Sequence, residues 1–134
     1  MIESAQEFIR LRNSEIPAEY NRSAHEEASD QTWLDVIDNF PEYKIWVVHN
    51  KTVPLSILEK LVSDFDPNVR CEIARKRKVN QLIISILSVD KDEQVRIALA
   101  SNTKIRTSDL VKINRQGSEW FRKTLDEIIT RKLP

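Results

Sequence analysis

Apolar residues along this chain recur in short helical bursts, not in strand-like alternation. Leu55, Ile57, Leu58, Leu61 and Val62 fall on one helical face, and Leu82 to Leu87 repeat that pattern. Val69, Ile73 and Ala74 form a second kind of burst, repeated by Val95 to Ala100. Polar turns separate the bursts: Ser63-Asp64-Phe65-Asp66, then Asp90-Lys91-Asp92. Asp66 is placed to cap the helix that follows, with Pro67 at its first position, and Pro54 suits the same first-position role one helix earlier. The pattern predicts pairs of short helices.

These pairs repeat every 26 residues. Asp38, Asp64 and Asp90 share one register, as do Tyr43, Val69, Val95 and Phe121. One position later come Lys44, Arg70, Arg96 and Arg122. Val47, Ile73, Leu99 and Leu125 align, and Val53, Val79 and Ile105 close the unit. Upstream the register weakens. Trp33, Leu34 and Ile37 fit a first helix only with a slip of about one residue, residues 14–28 read as a degenerate unit, and residues 2–12 read as a capping helix. The last helix, around Trp120 to Ile129, closes the array.

A pair of short helices cannot bury its apolar face alone, so neighbouring pairs must stack. The fold expected is all-α: an α-solenoid of about four two-helix repeats between capping helices. One domain spans 1–134, with a degenerate cap and unit at 1–30, repeats at 31–129 and a tail at 130–134.

Composition narrows the class. A single Gly argues against Gly-rich phosphate loops, and a single Cys rules out an internal disulfide. No run approaches the roughly 20 apolar residues of a membrane span. The first residues carry acids early and do not read as a secretory signal, so a cytoplasmic protein is expected. Net charge is +0, but residues 1–66 carry 13 acidic and 6 basic side chains while residues 67–134 carry 8 and 15. Two surfaces of opposite potential would steer association and select partners.

The stretch DFDPNVRCEIARKRKV, echoed by DKDEQVRIALASNTKI, resembles the helical repeats of the HEAT-like class. It is most similar to the leucine-rich repeat variant, over about 33–129 and most specifically 54–105. YNRSAHEEAS with a following Trp, and WVVHNKTVP, are similar to small bacterial stand-alone proteins. The resemblance implies a right-handed α-solenoid used mainly as a protein-binding scaffold. Some variant members carry a Cys-rich iron–sulfur segment. With only Cys71 here, that feature does not transfer.

Site candidates follow from helix geometry. With Val69 as angular zero and 100° per residue, the sector at about 240–300° should stay open. It holds Asn68, Glu72 and Arg75, then Gln94, Ala98 and Ser101 one unit later, and Glu42, Trp46 and His49 one unit earlier. In the last unit it holds Trp120, Thr124 and Glu127. This stripe would line the concave face of a solenoid, where such proteins usually bind.

Trp46 and Trp120 are candidate anchors, because Trp is enriched at interface hot spots. The alternatives are that Trp46 folds over a core edge and Trp120 packs into the terminal cap. Trp33, beside Leu34 and Ile37, reads as core. Arg75, Lys76, Arg77 and Lys78 end a second helix, where cations complement the dipole or meet an acidic partner. Lys44, Arg70, Arg96 and Arg122 read as a structural ladder to turn acids. Cys71 matches Ile45 and Ile97 and reads as a small buried residue. His25 and His49 lack the third ligand that a catalytic zinc needs, and the Asp-x-Asp pairs lack the Gly and terminal Glu of a calcium loop.

The function expected is therefore non-catalytic protein binding by a monomer, without metal or cofactor. The partner-binding residues are Trp46, His49, Glu72, Arg75, Lys76, Arg77 and Trp120. An immunity-type protein neutralising a bacterial toxin is one form this could take. The alternative is nucleic-acid binding through the basic C-terminal half.

Overall fold

A computed structural model describes residues 1–133, and the described residues form ten α-helices and one 3-10 turn. In order they are α1 (Ala5–Asn13), α2 (Pro17–His25), α3 (Asp30–Asn39), α4 (Lys44–His49), α5 (Leu55–Leu61), α6 (Pro67–Ala74), α7 (Gln81–Leu87), α8 (Glu93–Ala100), α9 (Thr107–Leu110) and α10 (Glu119–Lys132). The 3-10 turn Pro41–Tyr43 leads into α4. An isolated bridge between Ile2 and Ala28 is the only extended pairing among the described residues. The fold is all-α, as the periodicity requires.

Six of the helix starts are capped by a side chain. Ser4, Ser29, Asp66, Asn80, Asp92 and Ser118 each accept a hydrogen bond from a backbone amide two or three residues on. Pro67 follows its cap at the first helical position, as the sequence predicts. Pro54 instead precedes α5, and its carbonyl accepts from the amides of Ile57 and Leu58. The final helix reaches Lys132, three residues past the apolar pattern that predicts it, and Pro134 of the expected tail lies outside the described residues.

The residues group into two compact units, 1–60 and 61–134. In the first, α1 packs on α2 and α3, and α3 packs on α4. Trp33 is fully buried, as its helical neighbours imply, and meets Phe8 edge-on at 5.1 Å between ring centroids. Ile2, Leu11, Val36, Val47 and Val48 are buried in the same unit. In the second, α6 packs on α7 and α8, and α10 packs on α8 and α9. Val69, Ile73, Val95, Leu99, Phe121 and Leu125 are buried there, so the two register columns that define the repeat are core columns.

The ladder of cations reaches a turn acid at Arg70, while Arg96 and Arg122 donate to the main-chain carbonyls of Asn114 and Gly117 instead of the acids expected. Arg70 is 5% exposed and forks onto Asp90 of the following pair, with Nε 2.8 Å from Oδ2 and Nη2 3.2 Å from Oδ1. Its Nη1 donates to the carbonyls of Asp64 and Phe65. Asp64 and Asp90 in turn accept the amides of Asp66 and Asp92, so the Asp-x-Asp turns are caps.

Candidate functional site

The predicted stripe residues divide between the two units. In unit 1–60, Trp46 and His49 lie three residues apart on α4 and meet edge-to-face at 5.2 Å. His49 and Glu42 are exposed, whereas Trp46 is half-buried. Its cover is Arg12 from the last turn of α1, whose guanidinium carbon lies 3.5 Å from the Trp46 ring centroid. The same guanidinium lies 4.8 Å from the Tyr20 ring centroid, so two aromatic rings flank it. Beside it, Asn13 Nδ2 donates to the Tyr43 hydroxyl at 2.8 Å.

In unit 61–134, Arg75 and Arg77 are exposed at the end of α6. Glu72 is half-buried and pairs with Arg75 at 2.9 Å. With Ala98, Ser101, Asn102 and Thr103, the two arginines line a groove of about 290 Å³. Ala98 is buried, so the stripe is not open along its whole length, and this small side chain forms part of the groove wall. Lys76 and Lys78 are half-buried, and burial pulls the Lys78 ammonium below the usual lysine range. Trp120 is 52% exposed on the first turn of α10 and is not packed away into the terminal cap.

Several residues outside the predicted set shape these patches. Arg12 and Tyr20 had no place on the stripe, because they belong to the degenerate N-terminal elements where the 26-residue register fades. Asn50 and Asn102 are both buried and stand two periods apart. Asn50 Nδ2 donates to the carbonyls of Ser23 and Glu26. Asn102 Nδ2 donates to those of Ala74 and Lys76. Each Asn oxygen accepts the amide two residues on. Each therefore satisfies backbone carbonyls at the end of an earlier helix. Their shared register was the available signal, and the Lys between them at position 76 broke it.

Cys71 is half-buried, not fully buried as its alignment with Ile45 and Ile97 implies, and those two isoleucines are half-buried as well. Desolvation pushes its thiol pKa up, which disfavours a reactive thiolate. His25 closes α2, where its Nδ1 lies 3.0 Å from the Asn21 carbonyl. Among the described residues, no three His, Cys, Asp or Glu side chains cluster closely enough to hold a metal ion. No described helix is long and apolar enough to cross a membrane.

The first patch offers an aromatic face and both offer guanidinium groups, which are recognition chemistry. No family model, curated protein or solved structure matches the chain.

Proposed function

We propose that this protein is a non-catalytic protein-binding scaffold of the HEAT-like, leucine-rich repeat variant type. Its second helices would form the ligand-facing side of a short right-handed α-solenoid of about four pairs. Packing of α6 on α8 supports the stacking, and the Arg70–Asp90 fork supports a repeated joint between successive pairs. The observation that carries the reading is Trp46. This large aromatic is half-buried, backed by a guanidinium, and edged by an exposed His49. Such a side chain provides much contact area while losing little freedom on binding. Glu72, Arg75, Lys76, Arg77 and the exposed Trp120 supply polar and aromatic contacts from the other unit.

The partner class follows from charge. Unit 1–60 carries 11 acidic and 6 basic side chains, unit 61–134 carries 10 and 15. An acidic patch and a basic patch on one chain suit a protein partner with its own charge pattern. An immunity-type role against a basic toxin is consistent with the acidic unit. The protein would act in the cytoplasm as a monomer.

Capture from native-host lysate tests the reading. Wild-type bait should retain one protein in stoichiometric amount after nuclease treatment, and Trp46→Ala should lose it while keeping its helical circular dichroism. Unchanged capture by Trp46→Ala would overturn the assignment. A second reading, nucleic-acid binding, is favoured by the groove walled by Arg75, Arg77, Ser101 and Thr103. It predicts retention of nucleic acid alone, released steeply by salt and abolished by Arg75→Glu.

A further inference from the structure

Unit 1–60 contains three arginines, Arg10, Arg12 and Arg22. Two of them hold carboxylates. Arg10 Nη1 is 2.7 Å from Glu19 Oε2, and Arg22 Nη2 reaches Glu26 at 2.8 Å and Glu7 at 3.2 Å. Arg12 makes no ion pair or hydrogen bond among the described residues, although this unit carries 11 Asp and Glu. Its Nε is buried and without an acceptor.

Arg12 is positioned by aromatic rings instead. Trp46 stacks on it at 3.5 Å and Tyr20 lies 4.8 Å away. The rings flank the guanidinium, and its donor edge has no acceptor among the described residues. The buried Nε has lost hydration and gained no hydrogen bond in return, whereas the two terminal nitrogens are not buried and leave an open edge for an acceptor. Its planar fork matches a carboxylate in two-point fashion, and a prepositioned fork loses little freedom on binding.

We propose that Arg12 is the receptor for an Asp or Glu side-chain carboxylate of the protein partner, with Trp46 and Tyr20 as walls for the apolar residues flanking that acid. This rests on the reading of Trp46 as a partner contact. The surrounding unit selects among anions. Its acidic excess repels a polyanion such as nucleic acid, and it attracts a single acid set among basic residues. A chain-terminal carboxylate is normally captured by a nest of backbone N–H groups. The donors here are guanidinium nitrogens, which points to a side chain.

The test uses the full chain and three peptides. One is acetyl-Lys-Leu-Glu-Leu-Lys-amide, the second has Gln for Glu, and the third is the Gln peptide with a free C-terminus. Binding is read from the Trp46 indole and Arg12 Nε–H signals by nuclear magnetic resonance. The Glu peptide should move both signals saturably. The amidated Gln peptide, and the Glu peptide on Arg12→Gln, should bind at least roughly tenfold more weakly, the scale of one charge-assisted contact.

Equal binding of the two amidated peptides, or no saturable shift with the Glu peptide, overturns the proposal. Equal binding of the free-C-terminus peptide and the Glu peptide overturns the side-chain assignment. The Gln peptide on wild type keeps the test decisive even if Arg12→Gln unfolds. Lysate capture separates the two readings. Loss by Trp46→Ala with full retention by Arg12→Gln sinks this proposal and leaves the scaffold reading standing. Retention by both sinks both.

Discussion

Arg70 and Arg96 occupy the same place in successive repeats and are buried alike, at 5% and 4% exposure. Their partners differ. Arg70 forks onto the Asp90 carboxylate, itself buried, and fills out its donors with two carbonyls. Arg96 meets the Asn114 main-chain carbonyl and lies 4.5 Å from the Phe121 ring centroid, and its Nε has no acceptor. One repeat position thus serves an ionic joint and a stacked, largely neutral one. The cause is local. The turn before α10 has Asn114 accepting the Gln116 amide, the role that Asp64 and Asp90 play two residues before their own caps. No carboxylate stands at that turn to answer Arg96.

Removing one arginine at a time should break the likeness. Arg70→Met leaves Asp90 buried and unpaired, and should cost about 3 kcal/mol or more in urea unfolding. An equal loss from Arg96→Met would refute the contrast, because that change strands only a carbonyl and keeps an apolar stem over Phe121. The expected loss there is about 1 kcal/mol. Between these lies Asn102→Ala, which strands the carbonyls of Ala74 and Lys76 at the end of α6 and should cost about 2 kcal/mol by the same measurement.

Proton linkage sharpens the second joint. Glu93 opens α8, and the hydroxyl and amide of Ser118 hold its carboxyl below the usual range, with Arg96 and Arg122 adding a smaller attraction. A depressed folded value means that this contribution is complete above the unfolded carboxylate pKa of about 4.3 and is lost as pH falls through the folded value. Glu93→Gln should therefore lower stability in the neutral region and flatten the acid limb of stability against pH, its difference from wild type shrinking as pH falls below about 4.3. The smallest effect belongs to Cys71. Its raised thiol pKa predicts slower alkylation at pH 8 in the native chain than in urea, followed by mass spectrometry.

The helices were legible because their causes are local and repeated. Asp66 and Asp92 cap as read, Trp33 is core as read, and the apolar columns at Val69 and Ile73 face inward. The Arg70 joint was legible for the same reason, since a cation and a turn acid recur at fixed spacing. The site was legible only in outline. Helical angle alone gave Trp46, His49 and Arg75 equivalent places on their own helices, but could not foresee that α1 sends Arg12 across Trp46 or that Ala98 is closed over. Those outcomes depend on contacts between elements that share no register. The Arg96 joint was missed because Asn114 stands 24 residues after Asp90, two short of the period.

The two joints behave as propagation and termination steps do in a growing polymer. Asp64 to Val89 is one full period, opening on a turn acid and containing the arginine that reaches forward to the next, Asp90. A duplicate of that segment inserted after Val89 would present its own Asp to Arg70 and its own Arg to the original Asp90. The chain could be lengthened at this point by whole periods without an unmatched charge. At Asn114 the same extension would fail, because there the arginine is already closed off by a ring and a carbonyl.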